Sequence, residues 1–134
     1  MKKLLTGLIL IYSVFVFAGK DERDFQSATG EPAVKKAEKS FKDTCGGALK
    51  ITVPWDKLNL NQMKSVRDTA EAISGGVAAY CTNEGNKKAM KALTSIVFTE
   101  KGTSSFSFKN GVGTIAAEAN SYIPFDSITK EVDK

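Results

Sequence analysis

Apolar residues follow two kinds of spacing along the chain, and helical spacing is clearest in its middle. After Asn59 they recur at steps of three and four, as Met63, Val66, Ala70, Ile73, Val77 and Tyr80. Residues with this spacing lie on one face of an α-helix. Asn59 and Gln62 have the spacing of a capping box, which marks a helix start. We therefore predict a long helix that runs to about Cys81. The same spacing predicts shorter helices over residues 32–42, 87–94 and 125–132.

Alternating apolar and polar residues predict four strands. Leu49, Ile51 and Val53 would point to one side of an extended chain, while Lys50 and Thr52 would point to the other. This alternation is typical of a strand that is buried on one face only. The same pattern predicts strands over residues 95–100, 104–109 and 112–118.

A tight turn is predicted between the last two strands. Asn110-Gly111 suits a two-residue hairpin turn, because both positions of a type I′ turn need a positive φ. Such a turn sets Phe108 opposite Gly113 and Phe106 opposite Ile115. The last two strands are therefore predicted to pair as a hairpin.

The preceding turn is predicted from the faces of the strands. A three-residue loop, 101–103, sets Phe98 opposite Phe106 and Ile96 opposite Phe108. A slip of one residue would send every apolar side chain to the other face. The apolar face would carry Ile96, Phe98, Phe106, Phe108, Ile115 and Ala117, and the other face Val97, Thr99, Ser105, Ser107, Thr114 and Ala116.

These elements predict an α+β fold in one domain, residues 32–134. The predicted order is helix, strand, long helix, short helix, three-stranded meander and terminal helix. It indicates a two-layer sandwich in which helices cover one face of a mainly antiparallel four-stranded sheet. Residues 19–31 are polar, with Phe25 the only large apolar residue, and we expect them to form a flexible N-terminal arm.

The first 18 residues have the pattern of a secretory signal peptide. Lys2 and Lys3 precede a largely apolar run, and Val16 and Ala18 suit a cleavage site. The run is too short to span a bilayer comfortably as a retained helix. We therefore expect a periplasmic or secreted protein that starts near Gly19 and has no integral membrane span after cleavage.

The cysteines and the charge further narrow the class of protein. An exported protein meets an oxidising compartment, so we predict a disulfide between Cys45 and Cys81, the two cysteines of the chain. Without Lys2 and Lys3, 17 of the 19 basic residues remain against 15 acidic ones. Because the two signs are interspersed, we expect no nucleic-acid partner, which would need a clustered basic face.

No catalytic, cofactor-binding or metal-binding residues are predicted. The chain has no histidine, which is the usual general base at neutral pH. Its glycines lack the strand-to-helix context and the lysine of a phosphate-binding loop. Its two cysteines are far apart, so they suggest neither a metal site nor a redox pair. The carboxylates placed in loops and at strand ends are scattered: Asp56, Glu84, Glu100, Glu118 and Asp126.

The polar sheet face is the candidate binding surface. In a two-layer fold no helix covers it, and small hydroxyl side chains offer hydrogen bonds at low entropic cost. Its candidate residues are Val97, Thr99, Ser105, Ser107 and Thr114. We expect a small exported, non-enzymatic binding protein whose partner is another protein or an envelope component. The identity of that partner and the oligomeric state stay open.

Two alternatives remain. The first is an inhibitor of a secreted hydrolase, in which a loop enters an active site; residues 54–58 with Trp55, or residues 100–103, would be that loop. The second is a carboxylate-dependent hydrolase. An enzyme needs a concave pocket with converging carboxylates, whereas a binding protein needs a flat or projecting surface.

Overall fold

A computed structural model describes residues 19–134. The predicted signal peptide, residues 1–18, lies outside the described residues. The helices are α1 (Lys20–Phe25), α2 (Glu31–Cys45), α3 (Leu60–Tyr80), α4 (Glu84–Met90) and α5 (Phe125–Val132), with a π-helical turn at Gln26–Gly30 and a 3-10 turn at Trp55–Lys57. The strands are β1 (Lys50–Thr52), β2 (Ser95–Thr99), β3 (Phe106–Lys109) and β4 (Val112–Ala116). Between residues 19 and 134, no helix is long and apolar enough to cross a membrane.

The long helix α3 begins at the predicted capping box. The Asn59 side chain accepts a hydrogen bond from the backbone N–H of Gln62 (2.9 Å), and the Gln62 side chain accepts one from the backbone N–H of Asn59 (3.0 Å). These two bonds satisfy amides that have no partner within the helix. The predicted apolar face is buried at Met63, Val66, Ala70, Ile73 and Val77.

The sheet is mixed, and the predicted mainly antiparallel arrangement is wrong. The strand order is β1-β2-β4-β3; β1 and β4 both run parallel to β2, and β3 runs antiparallel to β4. The predicted pairing of Phe98 with Phe106 does not form, because β4 lies between their strands and Phe98 is beside Ile115. The structure is therefore α+β, with a four-stranded mixed sheet.

The strand compositions account for this order. The end of β4 and the residue after it, Ile115 to Ala117, are apolar and buried, which suits a strand with neighbours on both sides. The β3 strand instead exposes Ser107 and Lys109, and polar or charged side chains protect an edge strand from pairing with other chains. The apolar alternation is satisfied equally well in either order, because every strand keeps the same inward face.

The predicted hairpin between β3 and β4 is confirmed. Phe108 is paired with Gly113 and Phe106 with Ile115. Asn110 and Gly111 have φ values of 52° and 84°, as a type I′ turn requires. The face assignment also holds. The inward residues Ile96, Phe98, Phe106, Ile115 and Ala117 are buried, and Phe108 is half-buried.

One core joins the helices to this inward face. Buried side chains of α2, α3 and α5 belong to the same cluster as those of the sheet. The predicted disulfide is present and links Cys45, at the end of α2, to Cys81, just after α3. Both cysteines are buried within the core. The disulfide therefore links the ends of α2 and α3, the two longest helices within residues 19–134.

Two buried hydroxyls of α3 attach the segment that leads to α5. Ser65 Oγ accepts a hydrogen bond from the backbone N–H of Ser121 (3.3 Å), and Thr69 Oγ1 accepts one from Ile123 (3.1 Å). Buried polar groups are tolerated where they are hydrogen-bonded. These bonds position the C-terminal segment against α3.

The N-terminal segment differs from the predicted flexible arm. Residues 20–30 are helical and continue into α2. Phe25 packs against the core beneath Arg67, whose guanidinium carbon lies 5.4 Å from the ring centroid. Gly30 is buried against Trp55. Two residues within a polar segment supply these contacts, which is too few to produce a hydrophobic pattern that sequence reasoning detects.

Candidate functional site

The outward face of the sheet carries side chains in rows that run across the strands. One row is formed by Lys50, Ser95, Val112 and Lys109, and the next by Thr52, Val97, Thr114 and Ser107. We call these two rows the open face. Every residue in them is exposed or half-exposed. Neighbouring strands of a sheet are about 4.8 Å apart, so four strands present a surface roughly 15 Å wide.

The open face contains three of the five predicted binding residues: Val97, Ser107 and Thr114. It also contains Lys50, Ser95, Thr52, Lys109 and Val112, which sequence reasoning did not select. β1 joins this face because it pairs with β2, a contact between distant parts of the chain that the strand pattern does not reveal. The other two predicted residues, Thr99 and Ser105, lie beyond these rows, at the end of β2 and just before β3.

The end of the sheet beyond the open face is covered by the connection from β2 to β3. Gly102 lies against Ala116: a Cβ added to Gly102 would be 3.3 Å from the Ala116 Cβ. Ala116 is accordingly only 8% exposed, although its side chain points outward. Thr99 Oγ1 donates to the carbonyl of Lys101 within the same connection (3.1 Å). The connection thus covers Ala116, whereas both rows of the open face stay accessible.

A carboxylate from α2 protects the β1 edge of the sheet. The backbone N–H of Ile51 donates to Glu38 Oε2 (2.8 Å). An amide on an edge strand is otherwise available to pair with another chain. The Glu38 contact therefore makes this edge less available for pairing with another strand.

Trp55, the predicted loop probe, is half-buried in the 3-10 turn. Its six-membered ring lies against Gly30, where an added Cβ would come within 2.6 Å of Cη2 and 2.8 Å of Cζ3. Beside the ring is a groove of about 520 Å³, which we call the Trp55 groove. Its lining consists of Glu22, Arg23, Gln26, Trp55, Asp56, Leu58 and Met63.

The carboxylates that the sequence places in loops and at strand ends do not share one site in the structure. Asp56 lines the Trp55 groove, whereas Asp126 lines a groove of about 480 Å³ between α3 and α5. The Glu118 carboxylate accepts a hydrogen bond from the backbone N–H of Ser104 (2.7 Å). Asp56 shares its groove with Glu22, which sequence reasoning missed because it placed Glu22 in the arm. Within residues 19–134, no group of three or more acidic or cysteine side chains could hold a metal ion.

Two shifted pKa values lie away from the open face. Burial and a hydrogen bond to Asp133 raise the pKa of the Tyr80 phenol. The hydrogen bond and ion pair with Asp43 raise the pKa of Lys39 on α2. Both shifts are explained by local structure. Neither group lines the Trp55 groove.

Comparison of the chain with models of known protein families, with curated proteins and with solved structures found no match.

Proposed function

We propose that the protein is a small exported, non-enzymatic binding protein that recognises another protein or an envelope component through its open face. The single observation that carries this proposal is the composition of the two rows. Val97, Thr114 and Val112 lie on the central strands, and Val112 is 37% exposed. Lys50, Thr52, Ser107 and Lys109 lie on the outer strands.

This distribution resembles the anatomy of a protein interface. Interfaces have a less polar centre that loses its water and a polar rim that remains accessible. On the open face, the two valines and the Thr114 methyl group supply the centre, and hydroxyls and ammonium groups supply the rim. Lys50 and Lys109 lie at opposite ends of one row, which favours a partner that carries acidic groups at matching positions.

The disulfide supports the exported location. Cys45 and Cys81 form the disulfide seen in the structure, and disulfides persist mainly in oxidising compartments. The disulfide and the predicted signal peptide both support a site of action outside the cytoplasm.

The geometry favours the two alternatives less. An inhibitor needs a projecting loop, but Trp55 packs on Gly30 and Gly102 packs on Ala116, so each candidate loop has one residue held against the body of the protein. A carboxylate-dependent hydrolase needs a pair of converging carboxylates. Of the predicted carboxylates, Asp56 and Asp126 line different grooves, and Glu118 accepts a hydrogen bond from the backbone N–H of Ser104, so these three do not converge.

The open face is tested by placing charged bulk on Thr114 of its centre and on the neighbouring Ser107 of its rim. Ser107→Arg combined with Thr114→Glu should leave the melting temperature nearly unchanged, because both side chains point to solvent. The variant should no longer capture the partner that immobilised wild-type residues 19–134 retrieve from an envelope extract, because an interface depends on its desolvated centre.

The matched control is Lys35→Glu with Lys39→Glu, two exposed charge reversals on α2. This control variant should retain capture. Capture that survives the open-face changes but is lost in the α2 control would place the contact on the helical side and refute the proposed surface.

A further inference from the structure

The Trp55 groove has an apolar floor and a rigid aromatic wall. Leu58 and Met63, at the floor, are only 6% and 2% exposed. The wall is held by the contact between the Trp55 ring and Gly30. Three backbone hydrogen bonds fix the turn that carries Trp55: Trp55 N–H to Val53 O (3.0 Å), Lys57 N–H to Pro54 O (2.9 Å) and Leu58 N–H to Trp55 O (3.2 Å). The aromatic surface is therefore in position before any ligand arrives.

The rim of the groove combines hydrogen-bond acceptors with donors. Glu22 and Asp56 supply carboxylate oxygens, and Arg23 supplies a guanidinium. Among the ion pairs formed within residues 19–134, none involves these three side chains. Gln26 lines the same groove, and its amide nitrogen donates to Glu31 Oε1 (2.6 Å). That bond orients the amide and leaves its carbonyl oxygen as a further acceptor.

We propose that the Trp55 groove binds a neutral saccharide. A hydroxyl group both donates and accepts hydrogen bonds, so a sugar ring can use the carboxylates and the guanidinium together. Its apolar C–H face can pack against the Trp55 ring and the Leu58 and Met63 floor. A cation would meet Arg23 and an anion would meet two carboxylates, so a neutral ligand suits the rim best. The volume of about 520 Å³ lies within the range of small-molecule sites.

This site is separate from the open face and does not rest on the function proposed for that face. The two could serve one protein together, with the groove holding a glycan while the sheet binds another partner. Each site can bind its ligand without the other, and the variants described below distinguish binding at the groove from binding at the open face.

Trp55 is the only tryptophan of the chain, so its fluorescence reports directly on the groove. The test titrates residues 19–134, with the disulfide intact, with three neutral probes: maltotriose, cellotriose and the trimer of N-acetylglucosamine. We expect at least one probe to produce a saturable change in Trp55 emission, with a Kd of about 1 mM or below, as suits a small shallow site. No saturable change with any of the three up to about 50 mM, several tens of times that Kd, would overturn the proposal.

Rim variants separate specific binding from non-specific quenching. Asp56→Asn and Arg23→Gln should each raise Kd by about tenfold, because each removes a charged hydrogen-bonding group. Asp126→Asn, in the groove between α3 and α5, is the matched control and should bind as the wild type does. Equal Kd values for all of these proteins would overturn the assignment to this groove. Both rim residues are exposed, so the rim variants are expected to fold.

Two further measurements complete the binding test. Lysine amide, a cationic probe, should not alter the emission; saturable binding of lysine amide without saccharide binding would show a cation site and contradict the proposal. The Ser107→Arg, Thr114→Glu variant should bind the saccharide with unchanged Kd. If it captures no protein partner but still binds sugar, the two proposals are shown to be independent.

Discussion

Gly76 of α3 lies directly against Phe125 of α5. A Cβ added to Gly76 would be 2.6 Å from both the Cβ and the Cδ2 of Phe125, closer than real side chains approach. The neighbouring residue, Gly75, is in the opposite situation, because nothing lies within 4 Å of the Cβ it would carry. Two adjacent glycines in one helix thus have different surroundings, and only Gly76 is explained by close packing.

This contrast predicts opposite effects from the same substitution. Gly76→Ala should destabilise the protein by about 1 to 3 kcal/mol, because the new methyl group forces α5 outward. Gly75→Ala should stabilise it by about 0.5 to 1 kcal/mol, the difference in helix propensity at an exposed position. Urea unfolding of both variants provides the check, and a loss of stability in Gly75→Ala would contradict the assignment of open space there.

The disulfide should contribute substantially to stability. Cys45 and Cys81 are separated by 36 residues. In the chain-entropy model, closing a loop of this length stabilises a protein by about 3 to 4 kcal/mol. Reduction should therefore lower the melting temperature by more than about ten degrees in a domain of this size. The Cys45→Ala, Cys81→Ala double variant should melt at the same temperature with and without reductant.

Phe106 and Gly113 should be energetically coupled. A Cβ added to Gly113 would clash with Phe106 Cε1, so the ring occupies the space above the glycine. Phe106→Ala should cost about 3 kcal/mol by leaving a cavity, while Ser107→Ala, on the open face, should cost less than about 0.5 kcal/mol.

Gly113→Ala should also destabilise the wild type, but much less once Phe106 is alanine. A double-mutant cycle measures this coupling. Additive effects would mean that the ring does not lie over Gly113.

Removing Glu38 should expose the β1 edge. Glu38→Ala leaves the backbone N–H of Ile51 without its acceptor, at a cost of about 1 to 2 kcal/mol. Hydrogen exchange of the Ile51 amide should accelerate, and analytical ultracentrifugation should detect association at high concentration. Lys42→Ala, an exposed change on the same helix, should have neither effect.

The sequence pattern predicts which face of the sheet a residue lies on better than it predicts which strands are neighbours. Period-two alternation places Ile96, Phe98 and Ile115 on the buried face, and the Asn110-Gly111 turn determines the hairpin register, because both signals are local. Alternation carries no information on which strand lies beside β2. Alternation therefore could not predict that β4 lies between β2 and β3.

In the candidate sites, too, residues placed by local patterns could be predicted, whereas residues placed by contacts between distant segments could not. Val97, Ser107 and Thr114 could be predicted because their face follows from alternation. Thr52 and Lys50 join them only through the pairing of β1 with β2, which links distant segments. Glu22 and Arg23 were missed because the helix that carries them is docked by Phe25 and Gly30, single contacts in an otherwise polar segment.

The position of β4 has a consequence for the order of events during folding. The hairpin of β3 and β4 closes over two residues, whereas β2 and β4 pair across a longer connection. Hairpins form within about 1 to 10 μs, and longer closures carry a larger entropic cost. We therefore expect the hairpin to form first and to dock onto β2 as a unit, with Gly102 of the connection packing on Ala116. Substitutions at Asn110 or Gly111 should consequently slow folding more than they accelerate unfolding, which makes this turn a kinetic control point of the domain.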